Sequence, residues 1–307
     1  MRVLVTGAGG FIGVPAIRAL VSLGHDVHGV YRSKPPQEPG VVSHVANLLD
    51  DAQTRRLIDT VRPEAILHIA WFVEHGLFWH APENLDWLAA TLRLARHAAA
   101  ARCRRFVGVG TCFEYAISGM ARCDELTTPI TPETLYGIAK DSTRRTLEAY
   151  TAAADMQFAW ARLFYIYGPR EGPGRLIPSL ALKLLAGQPA PMGSGNLLRD
   201  YIHVDDCGLG LATLVASPVT GPVNIGRGEG VAIVSIARRL AELSGRPELL
   251  RVGAMPDRPG DPPAVVAIAD RLKHEVGAWP QISLDQGLRD CLTWWGSQCP
   301  QPALVHR

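Results

Sequence analysis

Residues 2–13 read RVLVTGAGGFIG, a short β-branched run that leads directly into a glycine-rich turn. The three glycines that close this turn stand three residues apart, and a helical pattern of apolar residues follows them. A glycine has no Cβ, so the backbone can turn tightly and approach a pyrophosphate, whose charge then lies at the N-terminus of the next helix. The alternative is a tight turn with no ligand. The predicted cofactor-binding residues of this turn are Gly7, Gly10, Phe11, Ile12 and Gly13.

Short β-branched runs and longer helical patterns alternate through the first half of the chain, as in βαβ units. Strands are predicted over residues 2–6, 26–31, 65–69, 105–110 and 157–162. Helices are predicted near residues 11–23, 52–61, 83–101 and 136–154. This order predicts an α/β fold with a Rossmann-like, doubly wound parallel sheet.

After residues 167–169 the alternation stops, and glycine and proline become frequent. This change predicts a smaller, discontinuous C-terminal α/β lobe that binds substrate. Residues 200–204 and 223–225 resemble strands that return to the sheet. We therefore expect a dinucleotide-binding domain of residues 1–166 with returning segments near 197–226, and a substrate-binding lobe of residues 167–196 and 227–307.

The composition excludes several classes of protein. The chain of 307 residues is 47% hydrophobic and carries 31 Lys+Arg against 29 Asp+Glu, so it has no strong field for nucleic acid or an anionic membrane. Its six cysteines form no CxxC pair, and neither an export signal nor a membrane span is visible. Glu74, His75 and His80 fit packing better than metal ligation. We expect a cytoplasmic protein without a metal site.

The end of the second predicted strand indicates which dinucleotide is bound. An acid at this position would bind both ribose hydroxyls and repel a 2′-phosphate. The chain instead has Tyr31, Arg32, Ser33 and Lys34, which can form charge-assisted hydrogen bonds to a phosphate. NADP(H) is therefore favoured, NAD(H) is possible, and the alternative is a solvated basic loop.

A catalytic group is predicted from Tyr136 and Lys140, which lie one helical turn apart. A phenol with a pKa of about 10 needs help to exchange a proton at neutral pH, and a neighbouring ammonium gives that help by favouring the phenolate. Thr111 follows the fourth predicted strand, where its hydroxyl can bind the substrate oxygen that Tyr136 protonates. The alternatives are a surface tyrosine beside a solvated lysine, and an ordinary turn threonine.

Together these motifs resemble the extended short-chain dehydrogenase/reductase family, in its branch of nucleotide-sugar epimerases, dehydratases and ketoreductases. Further matching stretches are residues 63–70, 167–169, 199–206 and 258–261. The resemblance implies that Asn47 and Leu48 border adenine, and that Ala70 and Trp71 border the ribose and pyrophosphate. It implies a nucleotide-sugar substrate whose diphosphate is bound by residues among Tyr165, Arg175, Arg199 and Arg258. It also implies a homodimer through the helices near residues 83–101 and 136–154.

The chain departs from two patterns of this branch. The 4,6-dehydratases carry Asp-Glu directly after the catalytic threonine, where this chain has Cys112 and Phe113, so dehydration is disfavoured. Glu114 comes one residue later, and we expect it to point elsewhere. The UDP-galactose 4-epimerases carry an acid after the second strand and an asparagine where this chain has Tyr165, and both differences weaken an epimerase assignment.

Residues 110–115, GTCFEY, resemble the corresponding run of family members that reduce a 4-keto-6-deoxy sugar nucleotide. The first prediction is therefore an NAD(P)H-dependent oxidoreductase that reduces the C4 ketone of an NDP-4-keto-6-deoxyhexose, with Tyr136 as general acid. The second is an NDP-sugar 4-epimerase with bound NAD(P)+. A non-catalytic NADP-binding sensor and a reductase of flavonoid- or steroid-like ketones remain as further alternatives.

Overall fold

The computed structural model describes residues 1–33, 35–117 and 120–298. Its strands are β1 (Arg2–Thr6), β2 (Asp26–Tyr31), β3 (Val41–Val45), β4 (Ala65–His68), β5 (Arg105–Thr111), β6 (Met120–Cys123), β7 (Gln157–Leu163), β8 (Tyr165–Tyr167), β9 (Ala190–Pro191), β10 (Leu198–Arg199), β11 (Tyr201–His203), β12 (Gly221–Ile225), β13 (Val231–Ala232), β14 (Leu250–Arg251) and β15 (Ala264–Ala267). Its α-helices are α1 (Gly13–Ser22), α2 (Asp51–Val61), α3 (Glu83–Ala100), α4 (Leu135–Ala153), α5 (Leu176–Leu185), α6 (Val204–Ala216), α7 (Ile233–Leu243) and α8 (Leu284–Gln298). Among these described helices, none has both the length and the apolar character needed to cross a membrane.

A seven-stranded parallel sheet forms the centre of the fold, in the order β12-β7-β5-β4-β1-β2-β3. The chain winds outward from β1 to β3, then returns to the other side of β1 and continues from β4 to β12. This doubly wound topology confirms the predicted Rossmann-like α/β fold. Because all seven strands are parallel, their carboxyl ends meet at one edge, where such folds bind ligands.

Helices cover both faces of this sheet, which explains why its inner strands are apolar on both sides. Helices α1 and α6 share one core with the sheet, and α2, α3 and α4 share the other. On the first face, a Cβ on Gly208 of α6 would lie 2.6 Å from Cβ of Pro15 in α1. The glycine therefore lets the two helices pack almost backbone to backbone.

Two strands differ from the sequence-based expectation. Strand β3 was not predicted, because it lies at the edge of the sheet and its side chains are mostly half-buried or exposed. The prediction that residues 200–204 return to the central sheet is wrong. The edge beside β7 is taken by β12, so β11 pairs instead with β8 through Tyr201 and Tyr165, and Val204 begins α6.

The remaining strands and helices form further layers. A four-stranded sheet has the order β13-β10-β15-β6, and helices α5, α7 and α8 share a separate apolar core. Two segments cross the boundary expected from the sequence. Strand β6 pairs with β15, and the π-helical turn Arg271–Val276 packs onto the central core through Leu272 and Val276.

Glu171, in the turn after β8, is a buried carboxyl group whose Oε2 has no hydrogen-bond partner among the described residues. Burial raises its pKa to about 8, although Arg175 opposes the rise. The folded chain therefore binds a proton that the unfolded chain releases above its ordinary pKa of 4.5, and stability falls as the pH rises through this window.

We expect Glu171→Gln to change the melting temperature little at about pH 5 and to raise it at about pH 8, by the equivalent of ~4 kcal/mol. Thermal unfolding at the two pH values measures this difference. Glu133→Gln, at an exposed site, is the control and should show no pH-dependent gain. An equal effect of Glu171→Gln at both pH values would contradict the prediction.

Candidate active site

The glycine turn lies at the end of β1, and its glycines have different tasks. Gly7 has a φ of +71°, and a Cβ there would lie 2.9 Å from the amide nitrogen of Ala70. A Cβ on Gly13 would lie 2.0 Å from the carbonyl oxygen of Gly7. Both are required by the packing of the turn itself. At Gly10 a Cβ would meet only the Gly7 oxygen, at 3.2 Å, so its other side is open to a ligand at the N-terminus of α1.

The two kinds of glycine give a direct prediction. We expect Gly13→Ala to lower the melting temperature and abolish dinucleotide binding, because the new methyl group overlaps backbone. We expect Gly10→Ala to fold normally but to bind dinucleotide at least about tenfold more weakly, a loss of ~1.4 kcal/mol. Thermal unfolding and cofactor titration measure both effects, with Gly296→Ala as a control at an open helical position. Unchanged affinity in Gly10→Ala would show that no phosphate lies against this turn.

The side chain of Tyr31, at the end of β2, packs against the glycine turn. A Cβ on Gly9 would lie 3.2 Å from Cδ1 of Tyr31, and one on Gly29 would lie 2.9 Å from its hydroxyl. The aromatic ring thus occupies the space under the turn and leaves Arg32 and Ser33 exposed beyond it. Lys34 lies outside the described residues.

The adjacent strand brings the two residues expected near adenine to the same edge. The amide of Ala46, just after β3, donates to the carbonyl of Tyr31 at 3.0 Å. Asn47 is exposed and accepts from the amide of Leu49 at 3.1 Å, whereas Leu48 is buried. Asn47 can therefore meet a ligand directly, whereas Leu48 packs into the apolar core on one face of the sheet.

A buried hydroxyl–imidazole chain joins the ends of β1 and β4. The hydroxyl oxygen of Thr6 accepts from the amides of Ile69 and Ala70 at 3.1 and 3.2 Å, so its proton is donated to Nδ1 of His68. Nε2 of His68 then donates to Thr91 at 2.8 Å. Burial, with the nearby Lys140 charge, lowers the pKa of His68 to about 3, so the ring is neutral. These hydrogen bonds hold Ala70 beside the glycine turn.

Tyr136 and Lys140 both lie on the buried face of α4, whose N-terminus is capped by Thr134. The Tyr136 amide donates to the carbonyl of Trp79 at 3.0 Å, and its ring packs edge-on against Phe78. Nζ of Lys140 lies 5.9 Å from the centre of the Tyr136 ring and donates to the carbonyl of Val109 at 2.8 Å. The two predicted residues thus face the end of β5 together.

Thr111 ends β5 and reaches the same point. Burial raises the pKa of Tyr136, and the nearby Thr111 hydroxyl opposes this rise. Burial also lowers the pKa of Lys140 to about 7, opposed by the charge of Glu114. The structure therefore places a phenol, an ammonium and a hydroxyl around one buried point, an arrangement that can protonate a carbonyl oxygen.

Glu114 is a residue of this site whose part was not foreseen. Its side chain is fully buried. Its carboxylate accepts from the Thr111 amide at 2.9 Å and pairs with Arg162 at 2.8 Å. The spacing of Thr111 and Glu114 is that of a capping box, which is the sequence signal for this contact. Cys112 beside it is buried, and burial raises the pKa of its thiol.

Two of the residues expected at the substrate, Tyr165 and Arg199, lie next to each other. Tyr165 packs edge-on against Phe113, with 6.2 Å between ring centres. Arg199 is only 3% exposed, and its guanidinium lies 5.5 Å from the centre of the Tyr165 ring. It donates to the carbonyls of Leu198 and Pro262, both at 2.9 Å. These contacts leave a buried positive charge that is held by neutral groups.

Arg175 and Arg258 are less enclosed. Arg175 precedes α5 and lies 5.8 Å from the centre of the Phe78 ring, so it faces the same aromatic group as Tyr136. Arg258 is exposed, and it acts together with Arg175 to lower the pKa of His75, which burial lowers most. The charges of both arginines are therefore felt at His75, a residue that was expected only to pack.

Comparison with known proteins gives four findings of the same kind. The model of the NAD dependent epimerase/dehydratase family matches residues 3–226. A UDP-glucose 4-epimerase of Azospirillum brasilense is 29% identical, with 95% of this chain and 91% of that protein covered. A dTDP-4-dehydro-6-deoxy-D-allose reductase of Streptomyces bikiniensis is 27% identical, with 95% of each covered. The structure of a Thermus thermophilus UDP-glucose 4-epimerase in complex with NAD has a TM-score of 0.84 and 26% identity, over 96% of this chain and 99% of that one.

Proposed function

The chain belongs to the NAD-dependent epimerase/dehydratase family, and on that premise we propose that it is an NAD(P)H-dependent reductase of nucleotide-linked sugars. Its substrate would be an NDP-4-keto-6-deoxyhexose, reduced at C4. The observation that carries this proposal is that Tyr136 and Lys140 lie on the buried face of α4 at the end of β5, which is Thr111, in the sheet that also holds the glycine turn. The two positions after Thr111 hold Cys112 and Phe113, so the acids that water elimination needs are missing there.

The residues divide the work of a carbonyl reduction. The nicotinamide ring, when bound, supplies a hydride for C4 of the sugar. The Tyr136 hydroxyl donates its proton to the C4 oxygen, so the C=O bond becomes a C–OH group and the tyrosine is left as a phenolate. The Lys140 ammonium stabilises that phenolate, and the Thr111 hydroxyl binds the same substrate oxygen. Arg199 and Arg175 supply positive charge for the diphosphate of the substrate.

A 4-epimerase that retains NAD(P)+ is the second candidate, and the identity with the Azospirillum brasilense epimerase favours it. Such an enzyme would need the same three side chains. Its net reaction differs, because the hydride returns to the sugar and no cofactor is consumed. Tyr165 favours the reductase instead, because the epimerases that this chain resembles carry asparagine at that position.

The decisive experiment supplies NADPH and a freshly made dTDP-4-keto-6-deoxyglucose, and follows the absorbance of the reduced nicotinamide. The reductase should consume one NADPH for each 6-deoxyhexose formed. Interconversion of UDP-glucose and UDP-galactose without loss of NADPH would favour the epimerase. Cofactor binding without turnover of dTDP-, UDP- or GDP-linked 4-keto sugars or of the 4-hydroxy sugars would overturn both candidates and leave a cofactor-binding sensor.

We further propose that the dinucleotide is NADP(H), with Arg32 on the 2′-phosphate. Support comes from its exposed side chain after Tyr31, at a strand end without an acid. A hydrogen bond to a charged group contributes ~1.5–3 kcal/mol, so Arg32→Ala should raise the KM for NADPH about tenfold or more. The KM for NADH should stay the same. Equal changes for both cofactors would contradict this assignment.

We also propose a homodimer, with helices α3 and α4 against their copies in a second chain. A shallow groove between them is lined by Leu92, Arg96, Thr146, Leu147 and Tyr150. Leu85 of α3 and Ile138 of α4 are 57% and 46% exposed. Light scattering of the purified protein tests the proposal, and a monomer would contradict it.

Reduction with NADPH suits the cytoplasm, which we propose as the location of the protein. We also propose that the lobe around α5, α7 and α8 binds the substrate.

A further inference from the structure

Trp71 and Lys140 form a buried contact beside Tyr136. Nζ of Lys140 lies 3.8 Å from the centre of the Trp71 ring. Trp71 is 9% exposed and Lys140 is 3% exposed, so little water reaches either group. A cation over the face of an indole is attracted by the negative face of the ring, and this attraction is strongest where water is excluded. The sequence had placed Trp71 only near the dinucleotide.

The ammonium has few other polar contacts. One of its three donors is used by the carbonyl of Val109, at 2.8 Å. Glu114 supports the positive charge, but that carboxylate is paired directly with Arg162 rather than with Lys140. The indole face is therefore a principal neighbour of this buried charge.

The indole itself is fixed in place. Nε1 of Trp71 donates to Oδ1 of Asn84 at 2.9 Å. Asn84 is fully buried, and its amide group donates to the carbonyls of Phe78 and Ala81 at 2.7 and 2.9 Å. Because these contacts satisfy the side chain of Asn84, they hold the indole in one orientation over the lysine.

The titratable groups that face Lys140 are Glu114, His68 and Tyr136. His68 is neutral and adds no second positive charge. Burial lowers the pKa of Lys140 to about 7, so the fraction of charged lysine at neutral pH depends on every group that supports the ammonium. Loss of any group that supports the ammonium would lower the pKa of Lys140 further.

We propose that Trp71 is a positioning residue: its indole face, fixed by Asn84, holds the Lys140 ammonium in its charged form beside Tyr136. The contact itself is independent of the reaction, and only the benefit to catalysis rests on the proposed function. Because Trp71 contacts Lys140, this site differs from one in which polar groups alone hold the lysine.

The titration of Lys140 in the cofactor-free protein tests this directly. The chain has only four lysines, Lys34, Lys140, Lys183 and Lys273. NMR of protein labelled with 13C-lysine resolves their titrations, and Lys140→Met assigns the signal of interest. We expect Trp71→Leu to lower the midpoint of Lys140 by about one pH unit, and Trp71→Phe, which keeps an aromatic face, to lower it less.

Trp87→Leu is the matched control, because Trp87 lies 6.5 Å from Trp71 and its loss removes an indole without touching the ammonium. Its Lys140 midpoint should equal that of the wild type. An unchanged midpoint in folded Trp71→Leu overturns the proposal, as does an equal shift in Trp87→Leu. If Trp71→Leu does not fold, an unchanged midpoint in Trp71→Phe together with an unchanged midpoint in Asn84→Ala overturns it. Failure of the reductase assay alone leaves this result intact, so the two proposals fail separately.

Discussion

Tyr136→Phe should lower kcat for ketone reduction by about 10³-fold, because proton donation by a positioned general acid contributes on that scale. The phenyl ring keeps the edge-on contact with Phe78, at 4.9 Å between ring centres, so folding should be unaffected. The affinity for NADPH should change little, since the glycine turn and Arg32 are untouched. Stopped-flow measurement of NADPH oxidation and a separate cofactor titration give the two quantities.

Tyr150→Phe is the control, since it removes a hydroxyl from the same helix at a position in the groove toward α3. It should retain the wild-type rate. A Tyr136→Phe variant that keeps more than about a tenth of kcat would contradict the role of this hydroxyl, because general acid catalysis contributes at least ~10²-fold.

Glu114→Gln should strongly destabilise the fold. Its carboxylate is paired with Arg162, and these side chains are 0% and 1% exposed. Removing one partner of such a pair leaves an uncompensated buried charge and costs ~3–5 kcal/mol. The same change weakens the hydrogen bond that the Thr111 amide donates to this side chain, so kcat should fall as well. Denaturant unfolding measures the first effect, and steady-state kinetics measure the second.

Two further variants make this prediction specific. Glu148→Gln removes a 53% exposed partner of Arg144 and should change stability by less than about 1 kcal/mol. The double variant Glu114→Gln/Arg162→Met removes both charges and should recover part of the loss. A Glu114→Gln protein that unfolds at the same denaturant concentration as wild type would contradict the account of this pair.

Local patterns were enough to predict the centre of the fold. β1 and β2 have the predicted ends, because an apolar run and the glycines or polar residues that stop it lie within a few positions of each other. The helix with Tyr136 and Lys140 was predicted for the same reason. β3 was missed because an exposed edge strand lacks the apolar alternation that marks a half-buried one.

Contacts between distant segments were the part that the sequence did not reveal. Trp71 meets Lys140, 69 positions later, and Glu114 meets Arg162, 48 positions later. Neither pair has a local signature, because the partners come from different crossovers of the sheet. The strand β11 was misplaced for a related reason, since its partner depends on which strand already occupies the edge of the sheet.

The most direct test of the proposed chemistry follows a deuterium atom. NADPH carrying deuterium at the transferable position of nicotinamide C4 is incubated with the protein and dTDP-4-keto-6-deoxyglucose, and the product is analysed by NMR. The expected result is one deuterium on C4 of the 6-deoxyhexose for each NADPH oxidised, and almost none with Tyr136→Phe over the same time. A product that carries no deuterium at C4, or full labelling by Tyr136→Phe, would contradict it.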